Sequence, residues 1–162
     1  MSKKLIAGNW KMNGDSASNQ ALLEQIAKGL VGLNAHAAVC VPAIYLAQVQ
    51  ALCANTEIAV GAQDMSQHNS GAYTGEISAN MLKELNVRYA IVGHSERRQY
   101  HSETDQVVAA KAKQALANGI TPIVCIGETL AERQAGQTQE VVRRQLSVVI
   151  DVACDGGGHY ID

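Results

Sequence analysis

Short, almost continuously apolar runs alternate along the chain with longer stretches in which apolar residues return every three or four positions. The short runs cover residues 5–7, 37–41, 58–61, 89–92 and 122–126. They have strand length and are apolar on both faces, as in a parallel sheet covered on either side. Between them lie helical patterns. The first carries Leu22, Leu23, Ile26 and Leu30, with Gly29 and Gly32 near its end, and the second spans 44–53 after Pro42. Ser78 is placed to cap a third, with Met81, Leu82 and Leu85 as its stripe and Asn86 as its stop. Ser102 is the N-cap candidate of a fourth, which has Glu103 and Asp105 in its first turn and the Asn118-Gly119 pair as its C-cap. A fifth begins after Thr138 and carries Val141, Val142, Leu146, Val149 and Ile150. Five βα units in order predict an α/β fold built on a parallel sheet with right-handed crossovers. Periodicity does not distinguish an open doubly wound sheet from a barrel, and a complete eight-unit barrel needs about 250 residues.

Two segments break this rhythm. Residues 64–75 form a polar loop of a length that is uncommon in compact domains unless it is functional or disordered. Residues 151–162 contain Gly156-Gly157-Gly158, which ends a helix and does not suit a buried strand. The expected organisation is therefore one domain over residues 1–150 and a glycine-rich tail over 151–162.

Composition narrows the possible functions. The 162 residues are 47% hydrophobic and 17% charged, with a formal net charge of −2, which excludes disorder and a polyanion-binding basic face. Five Tyr, one Trp and no Phe leave too few aromatics for a base-stacking platform, so no nucleic-acid partner is expected. Cys40, Cys53, Cys125 and Cys154 are widely spaced and form no C-x-x-C pair, which points to reduced thiols rather than a disulfide framework or a zinc ribbon. No apolar run is long enough to span a bilayer, and the stretch after Lys3 and Lys4 is too short for a secretory core. The expectation is a soluble, cytoplasmic protein without membrane contact. His36, His68, His94, His101 and His159 show no metal-ligand spacing, so no metal and no cofactor are expected.

Candidate chemistry collects at the predicted strand ends, where ligands of parallel α/β folds bind. After the first strand comes Asn9-Trp10-Lys11-Met12-Asn13-Gly14. If it stays extended, Asn9 and Lys11 share one face and Trp10 and Met12 the other. An amide and an ammonium there suit an anionic substrate, although spacing alone favours a solvated loop anchored by Trp10. After the fourth strand comes Gly93-His94-Ser95-Glu96-Arg97-Arg98. A helix start disfavours imidazolium and suits a neutral ring that donates to a carbonyl; a structural histidine amid ion pairs fits the spacing equally well. Arg97 and Arg98 oppose the dipole there and call for acidic partners, with Glu96, Glu103 and Asp105 at hand. Glu128, after the fifth strand, reads as first-turn decoration of the next helix rather than as a site carboxylate. Neither a P-loop nor a G-x-G-x-x-G opening a helix is present, which disfavours a nucleotide-binding module.

Taken together, these segments resemble the triosephosphate isomerase family. The resemblance rests on Asn9 to Gly14, Gly61-Ala62-Gln63-Asp64 through Gly71-Ala72-Tyr73-Thr74-Gly75-Glu76, Tyr89 to Arg98, and Cys125-Ile126-Gly127-Glu128-Thr129. It runs over roughly residues 3 to 150 in the family's order and spacing, a combination far more specific than any lone motif. It implies a (β/α)8 barrel, of which about five units are present. It also implies cofactor-free interconversion of dihydroxyacetone phosphate and glyceraldehyde 3-phosphate through an enediol(ate), usually in a homodimer. The family is itself a standard worked case of a neutral histidine electrophile beside a glutamate base. On that basis His94 would be the electrophile, Lys11 would offset phosphate and enediolate charge, and Asn9 would orient the substrate. Glu96 would support Lys11, and Ser95 would hold the base at rest. The loop bearing Gln63, Tyr73 and Thr74 would enter a partner subunit.

The sequence also departs from the family. It has no Tyr-Glu-Pro-Val-Trp-type segment to supply the base, and no later glycine loop for the phosphate. Asp155 is the only carboxylate beside the tail glycines, and nothing in the sequence positions it as a replacement. Loss of a general base costs a factor of about 10² to 10⁴. The expectation is an isomerase-family chain that is inactive by itself, with a non-catalytic α/β fragment as the alternative. Unpaired sheet edges further predict poor solubility or non-native association.

Overall fold

A computed structural model describes residues 4–154. The five strands β1 (Lys4–Asn9), β2 (Ala35–Val41), β3 (Ile58–Ala62), β4 (Tyr89–Val92) and β5 (Thr121–Val124) form one sheet in the order β1-β2-β3-β4-β5. All neighbours are parallel. The order decides what periodicity left open. A doubly wound sheet reverses direction at a switch point, whereas here every connection adds its strand on the same side, and the sheet curls as an incomplete (β/α)8 barrel.

The connections are α1 (Ser16–Leu30), a 3-10 turn at Ala43–Tyr45 leading into α2 (Leu46–Cys53), α3 (Ala79–Glu84), α4 (Ser95–Tyr100), α5 (Asp105–Ala117), α6 (Leu130–Gln134) and α7 (Thr138–Cys154). The core lies between sheet and helices. Val39, Val41, Val60, Ala62, Ala90 and Val92 pack against a layer that includes Leu23, Leu46, Val49, Leu82, Val108 and Ala112. On the opposite face of the strands small groups meet closely at β2 and β3. Gly61 lies in register with Cys40, and a Cβ on it would come 2.5 Å from the Cys40 sulfur.

Several local expectations change. Ser102 does not cap α5; it adopts φ 54°, and Thr104 caps instead, its hydroxyl accepting from the Val107 N–H. α1 is capped by Asp15, whose carboxylate accepts from Ala17 and Ser18 while the Ser18 hydroxyl accepts from the Asp15 N–H. Met81 is 55% exposed, so the third helix buries Leu82 and not the stripe the spacing suggested. In α7 Leu146 is exposed and Gln145 buried, because the Gln145 amide bonds both the N–H and the C=O of Gly127. Strand β1 is exposed along most of its length, including Leu5 and Ile6, since it is an end strand with no neighbour on its outer edge. α7 runs four residues into the stretch read as a tail, while Asp155, Gly156 to Gly158 and His159 lie outside the described residues.

Candidate active site

The C-terminal ends of β1 and β4 bring together Asn9, Lys11, His94 and Glu96. The chain does not stay extended after β1. Lys11 takes φ 52°, the left-handed region, and the expected pairing of Trp10 with Met12 on one face is lost: Trp10 packs on the core while Met12 is 96% exposed. The Lys11 N–H donates to Asn9 Oδ1 at 2.9 Å, leaving the Asn9 amide nitrogen as a donor for other groups. The Lys11 side chain turns to the start of α4, where its Nζ lies 2.6 Å from Glu96 Oε1.

His94 is the N-cap of α4, and its Nδ1 accepts the Glu96 N–H at 3.2 Å. An accepting Nδ1 carries no proton, so the ring's N–H is on Nε2, on the side away from the helix. The second oxygen of Glu96 is 3.5 Å from the same Nδ1. The backbone N–H already occupies that lone pair, and the carboxylate's short contact goes to Lys11. Lys11 also holds the Glu96 carboxyl below its ordinary range, more than its slight burial raises it. Glu96 thus stands between cation and imidazole. Ser95, the first residue of α4, is exposed beside them.

Behind this cluster lies a closed ring of ions. Arg97 reaches Glu103 at 2.6 Å and Asp64 at 3.0 Å, and Lys111 reaches Glu103 at 2.6 Å and Asp64 at 2.7 Å. Burial opposes ionisation of Glu103, but Lys111 and Arg97 outweigh it and hold that carboxyl low. At Asp64 burial wins and raises the carboxyl, against the pull of Lys111 and Arg97. Asp64 and Lys111 did not emerge from the sequence reading. A signal for Lys111 was present: Val108, Lys111, Ala112 and Ala115 follow helical spacing, and all are buried. A lysine on an apolar stripe implies a buried carboxylate partner.

Arg98 joins three elements. Its Nε donates to the Gly93 carbonyl at 2.8 Å and an Nη to the Cys125 carbonyl at 3.3 Å, while the other Nη pairs with Asp105 at 2.6 Å. Glu128 accepts from the Thr138 hydroxyl at 3.2 Å and takes no part in the cluster of Lys11 and His94. The Cys40 thiol is pushed up to about 11, by burial and then by the neighbouring Cys125, which disfavours the thiolate.

The loop expected to meet a partner is ordered at its base and exposed at its tip. The Ser66 N–H donates to the Ile77 carbonyl, the Ser66 hydroxyl bonds the Glu76 carboxylate, and the His68 and Tyr73 rings stack 3.8 Å apart. Tyr73 and Thr74 are exposed and lie away from Lys11 in sequence. Gln63, by contrast, points its amide at the Lys11 carbonyl, 2.8 Å away. A cavity of about 580 Å³ behind the loop is lined by Gln63, Asp64, Arg97, Glu103 and Lys111, and not by Lys11 or His94. Among the described residues no helix is long and apolar enough to cross a membrane, and no group of three or more potential metal ligands occurs.

Comparison with known proteins places this geometry in a lineage. The family model described as triosephosphate isomerase matches residues 4–155. Triosephosphate isomerases of Albidiferax ferrireducens and Delftia acidovorans are each 66% identical to the chain over 93% of its length. That of Paracidovorax citrulli is 61% identical over 98% of it. The chain spans 61% of the length of the first two relatives and 63% of the third. The crystal structure of triosephosphate isomerase from Bartonella henselae superposes with a TM-score of 0.85 at 39% identity, covering 91% of this chain and 61% of that one. With the family model matched over residues 4–155 and relatives 66% identical over 93% of its length, the chain belongs to the triosephosphate isomerase family.

Proposed function

We propose that this chain carries the electrophile-and-cation half of a site for interconverting dihydroxyacetone phosphate and glyceraldehyde 3-phosphate through an enediol(ate). The observation that carries this reading is the position of Glu96 between Lys11 Nζ and His94 Nδ1, with the imidazole proton on the opposite nitrogen. A neutral Nε2–H donates to a substrate carbonyl or to the oxygen that becomes negative in the enediolate, and it is most useful where that charge develops. Lys11 supplies a positive charge for the phosphate and the enediolate, and the Asn9 amide orients the substrate. Ser95 is assigned to the resting position of the base. No cofactor is needed for a proton transfer of this kind.

The 162-residue polypeptide contains no Tyr-Glu-Pro-Val-Trp-type segment, so the reading includes no turnover by this polypeptide alone. The proposed partner is a second copy, met by the exposed tip with Tyr73 and Thr74, and the proposed setting is cytoplasmic glycolysis and gluconeogenesis. The alternative reading is a non-catalytic α/β fragment. Titration of the purified chain with dihydroxyacetone phosphate, followed by NMR, separates the two readings. Shifts of the Lys11 and His94 resonances that vanish in Lys11→Met support the substrate site, whereas no shift in the unaltered chain overturns it. In a coupled assay the unaltered chain is expected to match a buffer control, and normal turnover would refute the inactivity.

A further inference from the structure

The side chain of Gln63 was expected to belong to the partner-facing loop, yet its amide is spent inside the chain. Nε2 donates at once to the Lys11 carbonyl at 2.8 Å and to the Cys40 carbonyl at 3.0 Å. The Cys40 carbonyl also accepts the Trp10 N–H at 3.0 Å, which closes the last rung between β1 and β2. Gln63 directly follows β3. Its amide therefore ties the end of β3 to the end of β2 and, through Lys11, to the turn after β1.

Lys11 is one of three non-glycine residues of the described chain with positive φ. A side chain there brings Cβ against the following carbonyl, so the conformation persists only if the surroundings hold it. Both polar ends of the residue are held by side-chain amides, the N–H by Asn9 Oδ1 at 2.9 Å and the C=O by Gln63 Nε2. Were the chain to remain extended at Lys11, the side chain would continue the strand's alternation; the left-handed turn instead lets the ammonium reach Glu96 in the first turn of α4.

We propose that Gln63 is a positioning residue that locks Lys11 in its left-handed conformation, so aiming the ammonium at Glu96 and the substrate's anionic groups. The functional half of this statement rests on the reading of Lys11 given above; the conformational half does not.

The test separates the two. Lys11→Gly in the otherwise unaltered chain relieves the strain and raises the folding constant about fivefold, after allowance for the greater freedom of glycine when unfolded. In a Gln63→Glu background, where a near-isosteric acceptor replaces the donor, Lys11 relaxes and the gain from glycine disappears. Backbone chemical shifts of Lys11 report the same change directly, left-handed in the parent and ordinary negative φ in Gln63→Glu. If Gln63→Glu fails to fold, Lys11→Gly alone still decides: no gain in stability overturns the lock. A gain that persists undiminished in Gln63→Glu, or left-handed shifts there, overturns it too. For function, Gln63→Glu should weaken dihydroxyacetone phosphate binding nearly as much as Lys11→Met, with little further loss in the double variant, whereas full additivity refutes the positioning role. Absence of binding to the parent chain strikes the substrate reading and leaves the lock to the stability and shift measurements.

Discussion

Gly93 occupies the one position before His94 where only a missing side chain fits. Its φ is 71°, and a Cβ would lie 2.7 Å and 2.9 Å from the two Val108 methyl carbons. Its carbonyl accepts from Arg98, so the backbone that presents the imidazole is gripped from the α4 side. Gly93→Ala combines left-handed strain with overpacking and should cost about 3 kcal/mol in urea denaturation, with the His94 ring resonances displaced. At this scale the sequence is partly readable. The string around Lys11 and His94 marks both residues, and the family resemblance implied that Glu96 supports Lys11; spacing by itself does not pair them, because that needs β1 and β4 to end at the same rim. The turn at Lys11 was not readable, because lysine has no preference for positive φ; tertiary hydrogen bonds impose it.

At the level of elements, the ring of Asp64, Arg97, Glu103 and Lys111 joins the long loop, α4, the turn after it and α5. Lys111 is 7% and Glu103 6% exposed in their side chains. Lys111→Met leaves the buried Glu103 and the part-buried Asp64 with Arg97 as their remaining partner and should destabilise the chain by about 3 kcal/mol by chemical denaturation. The two acids respond to pH with opposite sign. Glu103 is held below its ordinary 4.5, so its contribution is complete above that value and is lost as pH falls through the lower folded value. Asp64 is raised above its ordinary 3.8, so its ionised form is a cost, one that lessens as pH falls through the raised folded value. Asp64→Asn removes the opposing slope, and denaturation midpoints between about pH 6 and pH 3 should then fall more steeply than in the parent. An equal or shallower slope would contradict this assignment. The longer helices were legible from apolar spacing, whereas the short α4 and α6 were not and caps and faces were less so: Ser102 and Thr104 are both cap-forming residues two positions apart, and the structure selects Thr104.

At the largest scale, the five strands of the described residues form one curled sheet. β1 and β5 each have one neighbour, and β1 exposes Ile6 to 61% of its surface. Free strand edges with apolar side chains recruit other strands. Ile6→Lys should reduce concentration-dependent association in sedimentation velocity while leaving the far-ultraviolet circular dichroism unchanged; undiminished association would place the sticky surface elsewhere. The same curl brings the ends of β1, β2, β3 and β4 to one rim, where the Gln63 amide reaches Lys11 although 52 residues separate them.

Local chemistry was therefore enough to define the repeating βα units, the identity of the strands and the residue types available at their ends. These follow from side-chain hydrophobicity and backbone preference, which act over a few residues. The winding direction of the sheet, the strained turn at Lys11 and the pairing of Glu96 with Lys11 arise only when strands distant in the chain share hydrogen bonds. So does the burial of Lys111 among carboxylates. Each depends on contacts whose energy does not exist until the sheet has formed, which is why no local pattern encodes them.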